Sequence, residues 1–215
     1  MGDSHAGPIG RAATAAGLPF VGGPMGAGRE FTASFFAVTD GALTFHAEEA
    51  QRLYRGFLEE LGVADLTDLT VPLVLTFGFS AHFYATTENW RIYRDPAGGY
   101  LPGFTTSRLF DAIVQAMAAD ALAFYRHAVD AGLRVLAVLP PQRVPVHSDA
   151  TIFKAAEDCL CRALAPAGVE LVDLRGRVTD EHGMQRPELC EPDDPIHGNL
   201  AFGRLILAEL LDRGL

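Results

Sequence analysis

A chain of 215 residues with 49% hydrophobic and 20% charged side chains can bury a sizeable core, and at this length one domain over residues 1–215 is expected. Seventeen basic against 27 acidic residues leave a net charge of −10, which argues against the clustered positive surface that nucleic-acid phosphates require. The three cysteines make no disulfide framework, no apolar run is long enough to span a bilayer, and no signal peptide is visible. The composition thus predicts a cytoplasmic protein that binds neither nucleic acid nor membrane.

In chain order, Pro8–Ala16 reads as a short alanine-rich helix stopped by Gly17, and Leu18–Val21 as a short apolar run closed by Gly22, Gly23 and Pro24. Phe31–Val38 and Ala42–Phe45 flank Asp40-Gly41, a hairpin signal. Ala47–Leu61 has helical period, with Leu53, Phe57, Leu58 and Leu61 on one face. Val71–Phe77, Leu133–Leu139 and Val169–Leu174 are continuous apolar runs that suit a parallel sheet covered on both faces. Between and after them, Ser107–Ala131, Thr151–Leu164 and Asn199–Asp212 read as helices, with Ser107 and Thr151 as N-caps and Gly132 as a stop. Cys159 and Cys161, two apart in a helix, point to different faces, which disfavours a metal pair. The alternation predicts an open α/β sheet, and the ligand crevice of such sheets lies beyond the carboxyl ends of the strands.

Two segments there carry chemistry. Gly2-Asp3-Ser4-His5 places a serine just before a helix, where a free backbone N–H can face an oxyanion while the hydroxyl acts as nucleophile. Asp193-Asp194-Pro195-Ile196-His197 precedes the last helix. An Asp three residues before a His can hold one imidazole nitrogen while the other faces outward, although the same pattern also serves as a capping turn.

Taken together, Gly-Asp-Ser at the start, Asp-x-x-His before the last helix and the α/β pattern between them resemble the SGNH/GDSL hydrolases. Asp193–Gly203 resembles the family's closing block, and Val135–Arg143 its strand with a proline-rich loop. The resemblance implies a three-layer α/β/α sandwich of the flavodoxin-like, SGNH-hydrolase type with a mainly parallel sheet, to which the hairpin would be an insertion. It implies Ser4 as nucleophile, His197 as general base and Asp194 as the orienting acid, acting on a small-molecule ester without metal or organic cofactor. An acyltransferase would share this triad, and a weakly active or inactive member would bind a small molecule or partner.

The family's oxyanion hole uses the serine N–H, a glycine after the second strand and an asparagine after the third. The expected glycine is Gly22 or Gly23. After the third strand, Ser80 stands in place of the asparagine, with His82 as another donor and Asn89 a more distant one. Only Met1–Asp3 precede Ser4, so the central strand would need an upstream segment, the hairpin Phe31–Phe45 or a partner chain. The long segment Phe79–Thr106 reads either as a lid, with Phe79, Tyr84, Trp90 and Arg91 binding substrate, or as an insertion packed on the sheet edge. Gly23–Arg29 lacks both the P-loop and the dinucleotide spacing, and His46, His127, His147 and His182 are scattered without metal-ligand spacing.

Overall fold

The structure is a computed structural model that describes residues 1–32 and 34–215; Ala33, inside the expected strand Phe31–Val38, lies outside the described residues. The elements run α1 (Gly7–Ala15), β1 (Phe36–Thr39), β2 (Ala42–Phe45), α2 (Glu48–Leu61), β3 (Leu73–Leu75), α3 (Thr87–Trp90), α4 (Arg108–Met117), α5 (Ala119–Asp130), β4 (Val135–Val138), α6 (Ala150–Leu164), β5 (Glu170–Val172), α7 (Arg175–Val178) and α8 (Leu200–Asp212). Strands β3, β4 and β5 form a parallel sheet in that order, and β1 and β2 form a separate antiparallel ribbon. The ribbon turns at Asp40 and Gly41, whose φ values of 53° and 83° are both positive, as the two-residue hairpin turn that twists with its strands requires.

The parallel sheet is extended by two segments too short to count as strands. Met1 N donates to Val74 O at 2.7 Å, and Thr76 N to Met1 O at 3.3 Å, so Met1–Asp3 lies against β3. On its other side Gly2 pairs in parallel with Pro24, and Met25 N donates to Gly2 O at 2.8 Å. Residues 1–3 themselves therefore fill the place beside β3, while the hairpin stands apart as its own sheet. The apolar run Leu18–Val21 forms no strand; the pairing falls three residues past its end, at Pro24.

Side chains alternate across β4 as the pleat dictates. Val135 and Ala137 enter a core with Phe77, Phe124 and residues of α4, α5 and α6, while Leu136 and Val138 enter a second core with Ile9 of α1 and Phe202, Ile206 and Leu210 of α8. Helices thus cover both faces, and each fully buried aliphatic side chain contributes about 1.5–3 kcal/mol.

Local signals explain most boundaries. Ser107 accepts from Phe110 N, and Asn199 from Ala201 N and Phe202 N, as N-caps should. The cap of α6 is Asp149 and not Thr151: its carboxylate accepts from both Thr151 N and Ile152 N, and a carboxylate complements the helix start better than a hydroxyl. The expected helix Ser107–Ala131 is broken at Ala118, which leaves helical geometry (φ −106°, ψ 16°) and separates α4 from α5.

Candidate active site

Helices α1 and α8 pack tightly, and that contact joins the two ends of the chain. Gly203 of α8 lies against the backbone of α1, where a Cβ would stand 2.1 Å from Pro8 O, so only glycine permits the approach. Arg11 of α1 reaches across to Glu191 Oε1 at 2.9 Å and Gly198 O at 3.4 Å. Ser4 precedes α1 and His197 precedes α8, so packing the two helices brings the residues preceding them together.

There His197 Nε2 lies 2.7 Å from Ser4 Oγ, and His197 Nδ1 2.6 Å from Asp194 Oδ2. The Asp-x-x-His segment builds its own turn: Asp194 Oδ1 accepts from Ile196 N at 2.8 Å and from His197 N at 2.9 Å. Partial burial by itself would raise the Asp194 carboxyl, but the hydrogen bonds from the His197 ring and these two amides outweigh it and hold the group down to about 2. Asp194 stays ionised at neutral pH, which fixes the proton on His197 Nδ1 and leaves Nε2 as an acceptor towards Ser4. Asn199 anchors the segment from behind, donating to Glu188 O at 2.9 Å and Cys190 O at 3.0 Å.

The start of the chain is equally specified. A Cβ on Gly2 would stand 1.9 Å from Thr76 Oγ1, so glycine lets this segment lie against β3. Asp3 is fully buried and accepts from His5 N and Thr76 Oγ1, each at 3.0 Å, and from Ser80 Oγ. Its bond from His5 N makes Asp3 the N-cap of the turn that begins at Ser4. Its burial depends on hydroxyls 73 and 77 residues away, which no local pattern announces.

Other expected site residues fall in different places. Gly22 and Gly23 directly precede Pro24, the residue that pairs with Gly2, and a Cβ on Gly22 would stand 3.9 Å from Met1 N. Gly28, further along the same loop, lies against Ser80, where a Cβ would stand 2.2 Å from the hydroxyl oxygen. Ser80 is buried with its single proton given to Asp3, which removes it as a donor to an oxyanion. Asn89 is exposed on α3.

His82 is buried near the triad, and burial followed by the neighbouring His5 lowers it to about 4, so it is a neutral imidazole at pH 7. His5 lies between the two other imidazoles, its ring centroid 5.2 Å from that of His197 and 6.5 Å from that of His82. Burial also lowers His5, and its Nδ1 has no hydrogen-bond partner among the described residues.

The segment Phe79–Thr106 is packed, not open. Phe79, Tyr84 and Trp90 are each 1% exposed and belong to the core, so they cannot line a substrate surface. Trp90 Nε1 donates to Tyr84 O at 2.6 Å, and Tyr100 donates to Asp149 Oδ2 at 2.9 Å, beside Arg94 on the same carboxylate. Arg91 is exposed and 3.2 Å from Glu88 on the same turn. Aromatic residues in a long loop satisfied the core here before any ligand.

The described residues contain no group of three or more His, Cys, Asp or Glu side chains able to hold a metal ion. No helix among them is long and apolar enough to cross a membrane. In comparisons with family models, curated proteins and solved structures, nothing matches the chain.

Proposed function

We propose that this protein is a serine-dependent hydrolase of small-molecule esters, built on a three-layer α/β/α sandwich of the SGNH type. The reading is carried by one observation: the hydrogen-bonded chain from Ser4 Oγ through both nitrogens of His197 to Asp194. The fold reading is supported by the parallel alignment of residues 24, 2, β3, β4 and β5, with helices on both faces.

In the mechanism, His197 Nε2 takes the Ser4 hydroxyl proton as Oγ attacks the ester carbonyl carbon. The carbonyl π pair moves to oxygen, and the imidazolium is stabilised by Asp194. The tetrahedral intermediate collapses, the C–O bond to the leaving alcohol breaks, and His197 gives that alcohol its proton. A water then attacks the acyl-serine, passing its proton to His197 and on to Ser4 Oγ, and the carboxylic acid leaves. The oxyanion faces the Ser4 N–H, which as the first amide of a helical turn has no intrahelical acceptor. The Gly26 and Gly28 amides and the neutral His82 imidazole are the further donors assigned to that side, whereas the Ala27 amide is taken by Glu30 Oε2 at 2.6 Å. Loss of one such donor costs roughly 2.7–4 kcal/mol of transition-state stabilisation, so a second donor besides Ser4 is needed for efficient turnover.

The test is labelling with a fluorophosphonate serine probe, alongside turnover of 4-nitrophenyl acetate. Wild type is expected to label at Ser4, and Ser4→Ala and His197→Ala to lose labelling and about a million-fold in kcat while keeping their thermal unfolding temperatures. Folded wild type that neither labels nor turns over the ester would overturn the reading.

A further inference from the structure

A second cleft, of about 530 Å³, adjoins the triad on the side of His197. Its walls are the segment after β4, from Gln142 to Val146, the residues Met184, Gln185 and Pro187, and, from the loop that carries Asp194 and His197, Cys190 to Pro192 and Pro195. The link to the site is direct. Arg143 Nη1 donates to Glu191 O at 2.9 Å, and Glu191 N donates to His197 O at 3.1 Å, so two hydrogen bonds through the Glu191 backbone connect the guanidinium to the general base.

The chemistry of this cleft is that of a donor surface. Arg143 is half-buried and has no carboxylate partner among the described residues; it donates to the Glu191 carbonyl and lies against the Cys190 thiol. With five N–H donors, the guanidinium keeps the remainder for another group. Glu191, the acidic residue of the wall, is 2.9 Å from Arg11 and thus neutralised from the other side. Gln185, 6% exposed, has its Oε1 taken by Gln142 N at 3.2 Å, while its Nε2 has no acceptor among the described residues. A cationic fork and an unpartnered amide in one cleft call for an oxyanion with several lone pairs.

We infer that this cleft receives a carboxylate or phosphate carried on the alcohol portion of the substrate, with Arg143 as its principal partner. The inference rests on the ester-hydrolase reading above. In that mechanism His197 protonates the departing oxygen, so the leaving group lies on the His197 side of Ser4 and the carbonyl oxygen on the other. Only the alcohol portion can then extend past His197 into the cleft. A net charge of −10 disfavours anions in general, which makes a local unpaired arginine the selective element.

The experiment compares kcat/KM for three acetyl esters that share an acyl group: phenyl acetate, 4-acetoxybenzoate and 4-acetoxyphenyl phosphate. It uses wild type, Arg143→Gln and Arg143→Lys, after correcting for the intrinsic reactivity of each ester measured in hydroxide. One of the two anionic esters is expected to exceed phenyl acetate by about tenfold or more in wild type, mostly through KM. The carboxylate and phosphate arms tell which oxyanion the cleft takes. The preference should vanish in Arg143→Gln and return in part in Arg143→Lys, which also serves if the glutamine variant fails to fold.

Equal handling of all three esters by wild type, or a preference that survives in Arg143→Gln, would overturn the inference. Calorimetric binding of 4-hydroxybenzoate and 4-hydroxyphenyl phosphate to wild type and to both variants separates the two readings. Arg143-dependent binding without fluorophosphonate labelling would uphold the cleft and reject the hydrolase. Labelling without Arg143-dependent binding or preference would do the reverse.

Discussion

The two ends of the parallel sheet hold cavities of similar size and opposite chemistry. Towards the amino ends of the strands, a cavity of about 430 Å³ is lined by Ile9, Phe20, Val21, Phe57, Leu58 and Leu211 among other apolar side chains. Beyond the carboxyl ends lie the triad, the buried Asp3 with its hydroxyl partners, and the Arg143 cleft. Apolar lining alone would draw attention to the first. The strands explain why polar groups gather at the second: three segments leaving carboxyl ends deliver polar side chains there. Met1–Asp3 delivers Ser4, β3 leads to Ser80 and His82, and β4 leads to Gln142 and Arg143. At the amino ends, the entering chain supplies apolar residues that close the core.

Substitutions at the two ends should separate activity from stability. The largest effect after loss of the nucleophile or base is expected for Asp194→Asn, which keeps the Asx turn but loses the charge that fixes the His197 tautomer. Steady-state turnover of 4-nitrophenyl acetate should fall about ten-thousand-fold, with little change in the urea midpoint. A loss under tenfold would mean that Asp194 caps the turn and does no more. Leu58→Ala, at the apolar end, should do the opposite. Removing this buried side chain enlarges an existing cavity and should cost about 2–5 kcal/mol in urea unfolding, with kcat per folded molecule unchanged. A matching fall in kcat would show that the two ends are coupled.

A third effect, confined to the pH dependence of stability, concerns Glu157 of α6, buried near Gln142 and 3.8 Å from Arg175 Nη1. Burial pushes its carboxyl from an ordinary 4.5 up to about 8, against the pull of Gln142 and Arg175, with Asp158 and Asp173 reinforcing the rise. The native state therefore holds a proton that the unfolded chain releases. Stability from this group is full below about pH 4.5 and is lost as pH rises through about 8. Urea midpoints measured between pH 5 and 8 should decline in wild type by more than in Glu157→Gln, in which this contribution no longer titrates. Parallel declines in both proteins would place the pH dependence elsewhere.

Much of the site was legible in sequence because its parts are local. Asp194 and His197 form one turn from four consecutive positions, and Asp40-Gly41 dictates a hairpin turn through its need for positive φ. Helix ends marked by Ser107, Asn199 and Gly17 follow from capping chemistry. Errors arose where a residue type has two uses. The aromatics Phe79, Tyr84 and Trp90 serve a core as readily as a pocket, and burial decided for the core. Gly22 and Gly23 directly follow an apolar run, yet the pairing with the first residues forms beyond both of them, at Pro24.

The sequence by itself determined the alternation of strands and helices, the turn that orients His197, and the presence of a serine ahead of a helix. These depend on backbone propensities and on contacts within a few residues. Tertiary structure alone decided that Ser4 meets His197 across 193 positions, through the glycine contact of α8 on α1. It also decided that Asp3 accepts the Ser80 hydroxyl proton and that Arg143 lies two hydrogen bonds from His197. Such juxtapositions are set by packing between distant segments, and no spacing along the chain encodes them.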